Sequence, residues 1–246
     1  TAESGLFLRP FPAVAKRISV FVVQHQEKTM ANAVNLPGNR LAGLQVDLLQ
    51  KLRDRSRNLD ELGMFLQGKN PFVFERNEHG HIVLTLTGLD LMGAQDIERL
   101  ESEGFRFGKY AKQCLVSTAT DGYDAKHRLV AGQAYKIALM PTREIERDSD
   151  RTTANLRNRG IECYGYGKPL AGIVPRYREK ISDKQMEEMG FWYIAAPHDT
   201  INDAGGDPVV LNAYRHVDGP CVSSYWGRPD FQWNSHGAFS FFVPAS

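Results

Sequence analysis

The stretch that begins at His198 carries side chains that could bind a cation. His198 and Asp199 are followed by Asp203 and Asp207, so one imidazole and three carboxylates lie close together in the chain. An EF-hand loop places its ligands at alternate positions and a glycine at its sixth, and the spacing here does not match. We therefore interpret the segment as a turn rich in Asn, Asp and Gly, and we expect neither a metal nor another cofactor.

A cysteine nucleophile is the second chemistry to consider. Cys221 and His236 could act as nucleophile and base, but nothing near Cys221 indicates a helix N-terminus that would lower the pKa of its thiol. The chain has three cysteines and no C-x-x-C pair, which argues against a disulfide framework and a structural zinc site. Cys114 and Cys163 are interpreted as small core or boundary residues. We assign no catalytic residue.

Overall charge and hydropathy exclude two classes of partner. The 246 residues include 30 basic and 29 acidic side chains, whereas nucleic-acid-binding proteins usually concentrate a basic excess on one face. No apolar run is long enough to span a bilayer, and no signal peptide is visible. We expect no nucleic acid and no membrane span. The cell surface, a phage particle and the cytoplasm stay open as locations.

The C-terminal tail, residues 212–246, mixes aromatic with small polar side chains and contains no Lys, Glu or Met. Tyr and Trp give large rigid contact areas, Ser, Gly and Asn adapt their hydrogen bonds, and recognition hot spots favour Trp, Tyr and Arg. Arg215 and Arg228 lie in the same stretch. The alternating run 239–243 predicts a final half-buried strand. We infer a polar recognition surface anchored by Trp226 and Trp233.

The tail, "LNAYRHVDGPCVSSYWGRPDFQWNSHGAFSFFVPAS", resembles the variable region of proteins diversified by retroelements. In that family, reverse transcription randomises adenines in a C-terminal repeat, mostly in AAY codons, which cannot become Lys, Glu, Gln, Met or Trp. The resemblance implies a variable ligand-binding region at about residues 211–237. The implied ligand contacts are all residues that a randomised AAY codon can encode: Asn212, Tyr214, His216, Val217, Pro220, Cys221, Ser223, Ser224, Asp230, Phe231, Asn234, Ser235 and His236.

The resemblance implies that tail residues which such codons cannot encode are invariant scaffold. These are Trp226, Gln232 and Trp233, and the closing "GAFSFFVPAS", with Phe239 and Phe241, resembles the constant end that follows a variable repeat. The family implies a C-type lectin fold of the formylglycine-generating-enzyme type. The sequence lacks that enzyme's cysteine pair and the Glu-Pro-Asn motif of calcium-dependent lectins. The resemblance therefore implies neither catalysis nor calcium-dependent sugar binding.

The elements that must position the tail follow an α+β order. Leucines 41, 44, 48 and 52, at helical spacing after a predicted N-cap at Asn39, indicate a helix. Further helices are predicted at 59–66, 94–103 and 152–159, and after the capping box Ser182-Asp183-Lys184-Gln185. Strands are predicted at 18–23, 71–74, 81–86, 115–117, 128–140 and 191–196, and loops at 169–175 and 199–208. We expect a mixed helical and hairpin region at 1–106. A C-type lectin-like domain with short antiparallel strands and two helices is expected at 107–246.

Three functions are consistent with this sequence. The leading hypothesis is a binding protein, not an enzyme, that displays a diversified C-terminal face to an unknown protein or glycan ligand. The second is an enzyme of the same broad fold that uses Cys163 or Cys221. The third is a structural phage or surface protein whose tail mediates assembly.

Overall fold

The computed structural model describes residues 37–54 and 57–244. The chain divides into two compact units, Thr1–Gln50 and Lys51–Ser246. The described part of the first unit belongs to helix α1 (Pro37–Arg53), which confirms the helix predicted from the leucine spacing. Asn39 is not its N-cap, because the helix already begins at Pro37, a residue type favoured at the first helical position. The strand predicted at 18–23 lies outside the described residues.

An eight-stranded sheet forms the centre of the second unit. Its strands are β1 (Ile82–Thr87), β2 (Arg106–Phe107), β3 (Ala134–Pro141), β4 (Tyr193–Ala195), β5 (Ile201–Asn202), β6 (Pro208–His216), β7 (Gly219–Trp226) and β8 (Gly237–Phe242). They lie in the order β1-β3-β8-β4-β6-β7-β2, and β5 pairs with β6. The β2–β7 and β4–β8 pairs are parallel and the others are antiparallel.

Short helices precede and connect these strands. They are α2 (Leu59–Leu66), α3 (Gly93–Ser102), α4 (Lys109–Leu115), α5 (Tyr123–Lys126), α6 (Thr153–Asn158), α7 (Ile173–Lys180) and α8 (Asp183–Glu188). A π-helical segment, Arg159–Cys163, continues α6. In the part of the chain that the structure describes, no helix has the length and apolar character to cross a membrane. The chain is therefore of mixed α+β class, as predicted.

The sheet carries a hydrophobic core on each face, because side chains alternate along a strand. Ile137 and Leu139 of β3 belong to the core that includes α4 and α7. The residues that alternate with them, Ala138 and Met140, belong to the core on the opposite face. That core is covered by Leu156 of α6 and by the loop before β8. Both faces of the central strands are therefore covered.

The predicted final strand exists as β8, but it is not half-buried. It lies between β3 and β4 in the interior of the sheet. Phe239 and Phe241 fill one core, and Ala238 packs in the other. The alternating pattern predicted the strand correctly but not its central position, which depends on partners distant in the chain.

Predictions based on local signals are mostly confirmed. Helix α2 has the predicted bounds, and Gly104 and Gly190 have positive φ values of 90° and 79° after their helices. The capping box also forms, since Ser182 Oγ accepts from Gln185 N at 3.0 Å and Gln185 Oε1 accepts from Ser182 N at 3.0 Å. These features depend on neighbours a few residues apart.

Predictions that depended on segment length are wrong in several places. Residues 71–74 are not a strand, and residues 115–117 are the last residue of α4 and the two that follow it. The strand predicted at 128–140 begins only at Ala134, after a turn in which Gly132 has a φ of 73°. Part of the predicted loop 169–175 is the start of α7, because Pro175 lies in a first helical turn, where its missing N–H costs no hydrogen bond. Gly160 does not stop α6, which continues as the π-helical segment.

The expected division at residue 106 lies inside the second unit. Strand β1, from the N-terminal side of that division, pairs with β3 along its whole length. Residues 82–87 thus share one sheet with the tail.

Candidate ligand-binding site

Strands β6 and β7 form a long hairpin that includes the first part of the tail, with its turn at Val217 and Asp218. Strand β6 pairs with β4 on its other side, and β7 pairs with the two residues of β2. The hairpin is therefore part of the central sheet, and its turn projects from the end at which β4 begins.

A cleft of about 450 Å³ lies beside this end of the hairpin. It is lined by Glu187, Gly190, Phe191, Trp192, Arg215, Asn234 and His236. Three of these residues belong to the tail, and the other four lie in the stretch that runs from α8 to the residue before β4. The volume lies within the range of small-molecule sites.

Backbone hydrogen bonds hold the wall of the cleft in place. Trp192 N donates to His236 O at 2.7 Å, and Arg215 N donates to Trp192 O at 3.1 Å. The carbonyl of Asn234 accepts from Thr142 Oγ1 at 2.8 Å and from the hydroxyl of Tyr193 at 3.1 Å. The three segments that form the cleft are thus joined to one another independently of the side chains that line it.

Trp192 and Arg215 form the central contact of the cleft. The Arg215 guanidinium lies 4.8 Å from the centroid of the Trp192 ring, a cation–π distance, and the Tyr214 ring meets Trp192 edge-on at 6.0 Å. Trp192 is nevertheless 42% exposed. An aromatic surface with a charged edge is therefore open to a ligand.

Glu187 and Arg215 supply a carboxylate and a guanidinium to the cleft lining, and Lys184 and Arg143 lie next to lining residues. Glu187 Oε1 lies 3.4 Å from Arg215 Nη2, and Glu187 Oε2 lies 3.0 Å from Lys184 Nζ. The hydrogen bond from Lys184 holds the pKa of the Glu187 carboxyl below its usual range, so the carboxylate is charged at neutral pH. The exposed Arg143 adds a second guanidinium, since its Nη1 is 3.6 Å from the point that a Cβ on Gly190 would occupy.

The structure divides the predicted ligand contacts by burial. The exposed ones are His216, Val217, Asp230, Asn234 and His236, and those of intermediate burial are Tyr214, Ser223, Ser224, Phe231 and Ser235. Asn234 and His236 line the cleft, and Tyr214 packs on Trp192. Val217, at the hairpin turn, is 91% exposed. These side chains can meet a ligand.

Three predicted contacts, Asn212, Pro220 and Cys221, are buried and cannot serve as surface contacts. Asn212 pairs with Ala195 on one side and Ser223 on the other. Cys221 likewise lies between Tyr214 and Arg106. Whether a randomised AAY codon can encode a residue did not distinguish these buried strand positions from exposed ones.

The predicted scaffold residues also divide. Trp233, Phe239 and Phe241 are buried, and Trp233 Nε1 donates to Thr153 Oγ1 at 2.8 Å. Trp226 and Gln232 are exposed, so they are not core anchors. Trp226 ends β7 beyond the stretch that β2 covers, and the guanidinium of Arg228 stacks 4.3 Å from its ring centroid.

Trp192, Glu187 and Arg143 were not identified from the sequence as ligand-contacting residues. Trp192 lies in a stretch interpreted as a buried strand, and Glu187 and Arg143 are ordinary charged surface positions. No local pattern distinguishes them, because Trp192 and Glu187 line the cleft, and Arg143 lies beside Gly190 of its wall, only after distant segments have packed.

A second polar cluster surrounds Glu144 and is partly buried. His81 Nε2 contacts Glu144 Oε1, and His81 Nδ1 lies 2.7 Å from the hydroxyl of Tyr166. Tyr164 and Arg159 donate to Glu144 Oε2 at 2.6 and 3.0 Å. Burial alone would raise the pKa of Glu144, but these hydrogen bonds lower it to about 2. His81 and Tyr166 are 2% and 4% exposed, whereas Glu144, Arg159 and Tyr164 are partly exposed. The cluster joins the loop before β1 to the π-helical segment.

Cys114 and Cys221 are buried and lack the lowered thiol pKa of a nucleophile. Burial raises the pKa of Cys221, and it raises that of Cys114 to about 12. A nucleophilic cysteine requires the opposite shift. Cys163 is exposed, on the π-helical segment. Within residues 37–54 and 57–244, no group of three or more His, Cys, Asp or Glu side chains is arranged to hold a metal.

Comparison of the chain with protein-family models, curated proteins and solved structures finds no match in any of the three.

Proposed function

We propose that this protein is a ligand-binding protein of C-type lectin-like fold whose C-terminal surface is diversified by a retroelement. The observation that carries the proposal is the clustering of exposed tail residues beside a cleft with a fixed backbone. Asn234 and His236 line that cleft, Tyr214 packs against its tryptophan, and His216 and Val217 lie at the adjoining hairpin turn.

The division between exposed and buried tail residues also supports this function. A diversified surface needs positions at which a substitution has little effect on stability, and exposed sites usually change it by less than about 0.5 kcal/mol. It also needs invariant core residues, a role that Trp233, Phe239 and Phe241 can fill. The ligand is a protein or a glycan, and no cofactor takes part.

Sequencing the gene's surroundings tests the proposal. We expect a second, template copy of the tail-coding repeat that differs from the gene mainly at adenines. The differences should fall in codons for exposed residues such as His216, Asn234 and His236. Codons for Trp233, Phe239 and Phe241 should be unchanged, and codons 106–200 provide the matched control region. Absence of any template repeat, or differences equally frequent in the control region, would contradict diversification.

The structural-protein alternative has one observation in its favour. Leu59, Phe65 and Leu66 of α2 are 71%, 70% and 75% exposed, and apolar side chains left in water are typical of assembly surfaces. Sedimentation of the purified chain distinguishes the two functions, because an assembly protein forms a stable oligomer without added ligand.

A further inference from the structure

We propose that the cleft beside α8 binds a sugar that carries a carboxylate, with Arg215 and Arg143 contacting the carboxylate and Trp192 contacting the sugar ring. This inference rests on the proposed function, since it names the ligand class for the same surface.

Arg215 is positioned for a ligand but is only weakly paired within the protein. Its stacking on Trp192 fixes the guanidinium plane, which carries five N–H donors. Its ion pair with Glu187, at 3.4 Å, is longer than the roughly 2.8 Å of a strong charge-assisted hydrogen bond. Most of its donors are therefore available to a second carboxylate.

Arg143 places a second cation beside the cleft, next to Gly190 of its wall. It forms no ion pair with any carboxylate of the described residues, and its Nη1 lies close to Gly190 in the cleft wall. Two guanidinium groups and one carboxylate leave a local excess of positive charge. An anionic group on the ligand is favoured, because such a charge attracts it and guanidinium geometry suits carboxylates.

Recognition in this cleft depends on side chains and not on the backbone. The amides of Trp192 and Arg215, and the carbonyls of Trp192 and Asn234, already form hydrogen bonds within the protein. An extended peptide binds mainly through free backbone groups at a sheet edge. A compact ligand with hydroxyl groups fits better, since Asn234 and His236 offer side-chain hydrogen-bonding groups beside the exposed Trp192 ring.

The test is an NMR titration of the whole chain with glucuronic acid and with glucose, which differ at the carbon that carries the carboxylate. We expect glucuronic acid to bind at least about tenfold more tightly than glucose, a difference of about 1.4 kcal/mol. We also expect added salt to weaken the binding of glucuronic acid selectively, because salt screens exposed charges.

Two variants distinguish a direct charge contact from a structural effect. Arg215→Gln should weaken binding of glucuronic acid about tenfold and leave any glucose binding unchanged. Glu187→Gln should strengthen binding of glucuronic acid, because it removes the carboxylate that competes for Arg215. Arg128→Gln, which changes an exposed arginine outside the cleft, is the matched control and should have no effect. Unchanged circular dichroism spectra check that each variant folds.

Equal affinity for the two sugars, or no effect of Arg215→Gln, would overturn the proposal. Tighter binding of N-acetylglutamic acid amide than of glucuronic acid would overturn it in favour of an acidic protein loop. A different result would contradict the proposed function. If the locus contains no template repeat, the tail is not diversified by a retroelement, even if glucuronic acid binds. Binding without preference for the acid leaves diversification intact.

Discussion

Asn212 has a fully buried side-chain amide that forms no hydrogen bond with another protein group. It lies in the interior of the sheet, between Ala195 and Ser223. A buried polar group without a partner costs about 1–3 kcal/mol of stability. Asn212 is therefore a polar residue that neither stabilises the fold nor reaches the surface.

Replacing Asn212 by Val should stabilise the protein by about 1 kcal/mol. The change removes an unpaired amide and places a β-branched residue in a strand, where it is favoured. Urea denaturation measures the effect, and Asn202→Val, at an exposed strand position, is the control and should change stability by less than about 0.5 kcal/mol. A loss of more than about 1 kcal/mol for Asn212→Val would mean that the amide has a buried partner such as water.

The π-helical segment after α6 packs on β8 through a glycine. A Cβ on Gly160 would lie 2.3 to 2.7 Å from three ring atoms of Phe241. Phe241 is fully buried in a central strand and has little room to move. Helix and sheet approach this closely only because position 160 has no side chain.

Gly160→Ala should therefore destabilise the protein by about 1–3 kcal/mol, by overpacking. Gly63→Ala is the matched control, because Gly63 is also helical but has open space around it. That variant should gain about 0.5–1 kcal/mol, since alanine favours helix. Urea midpoints compare the two, and a Gly160→Ala variant as stable as the native protein would show that β8 can shift to accommodate the methyl group.

Two buried histidines connect distant parts of the second unit. The rings of His127 and His198 lie 5.0 Å apart. His198 Nε2 accepts from Leu211 N at 2.9 Å and its Nδ1 donates to Asp199 O at 2.6 Å, so the neutral ring uses both nitrogens. His127 Nδ1 accepts from Ala171 N at 3.3 Å. The pair therefore belongs to the polar interior that holds the sheet to its connecting segments.

Stability should fall as the pH decreases below about 6.5. Burial lowers the pKa of His198 to about 3, with His127 beside it adding to the effect, and burial also lowers the pKa of His127. Below pH 6.5 the unfolded chain binds protons that the folded protein excludes. Acid therefore favours unfolding, and the stabilisation present above that pH is lost as the pH falls towards the folded-state value.

For His198 alone, the expected loss between pH 7.5 and pH 5 is about 2 kcal/mol, at about 1.4 kcal/mol per pH unit below 6.5. Urea unfolding at pH 7.5, 6 and 5 measures it. His216→Gln, which replaces an exposed histidine, should leave the slope unchanged. A flat profile over this range would show that the buried histidines accept protons without unfolding.

The sequence by itself was sufficient for features that depend on near neighbours. Hydrogen bonds or conformations that span a few residues determine these features: the capping box at Ser182, the helix ends at Gly104 and Gly190, and helix α2. The mixed α+β class follows from hydrophobic patterns along the chain. None of these depends on which segments later become neighbours.

The tertiary structure alone decided which tail residues reach the surface and where the cleft lies. Asn212 and Cys221 are buried in a packed sheet whose strands β2 and β4 come from distant parts of the chain, whereas Trp226, at the end of β7, is exposed. The cleft brings residues 187–192 together with 215, 234 and 236. Burial and convergence are properties of the packed layers, so residue type and spacing within the tail could not determine them.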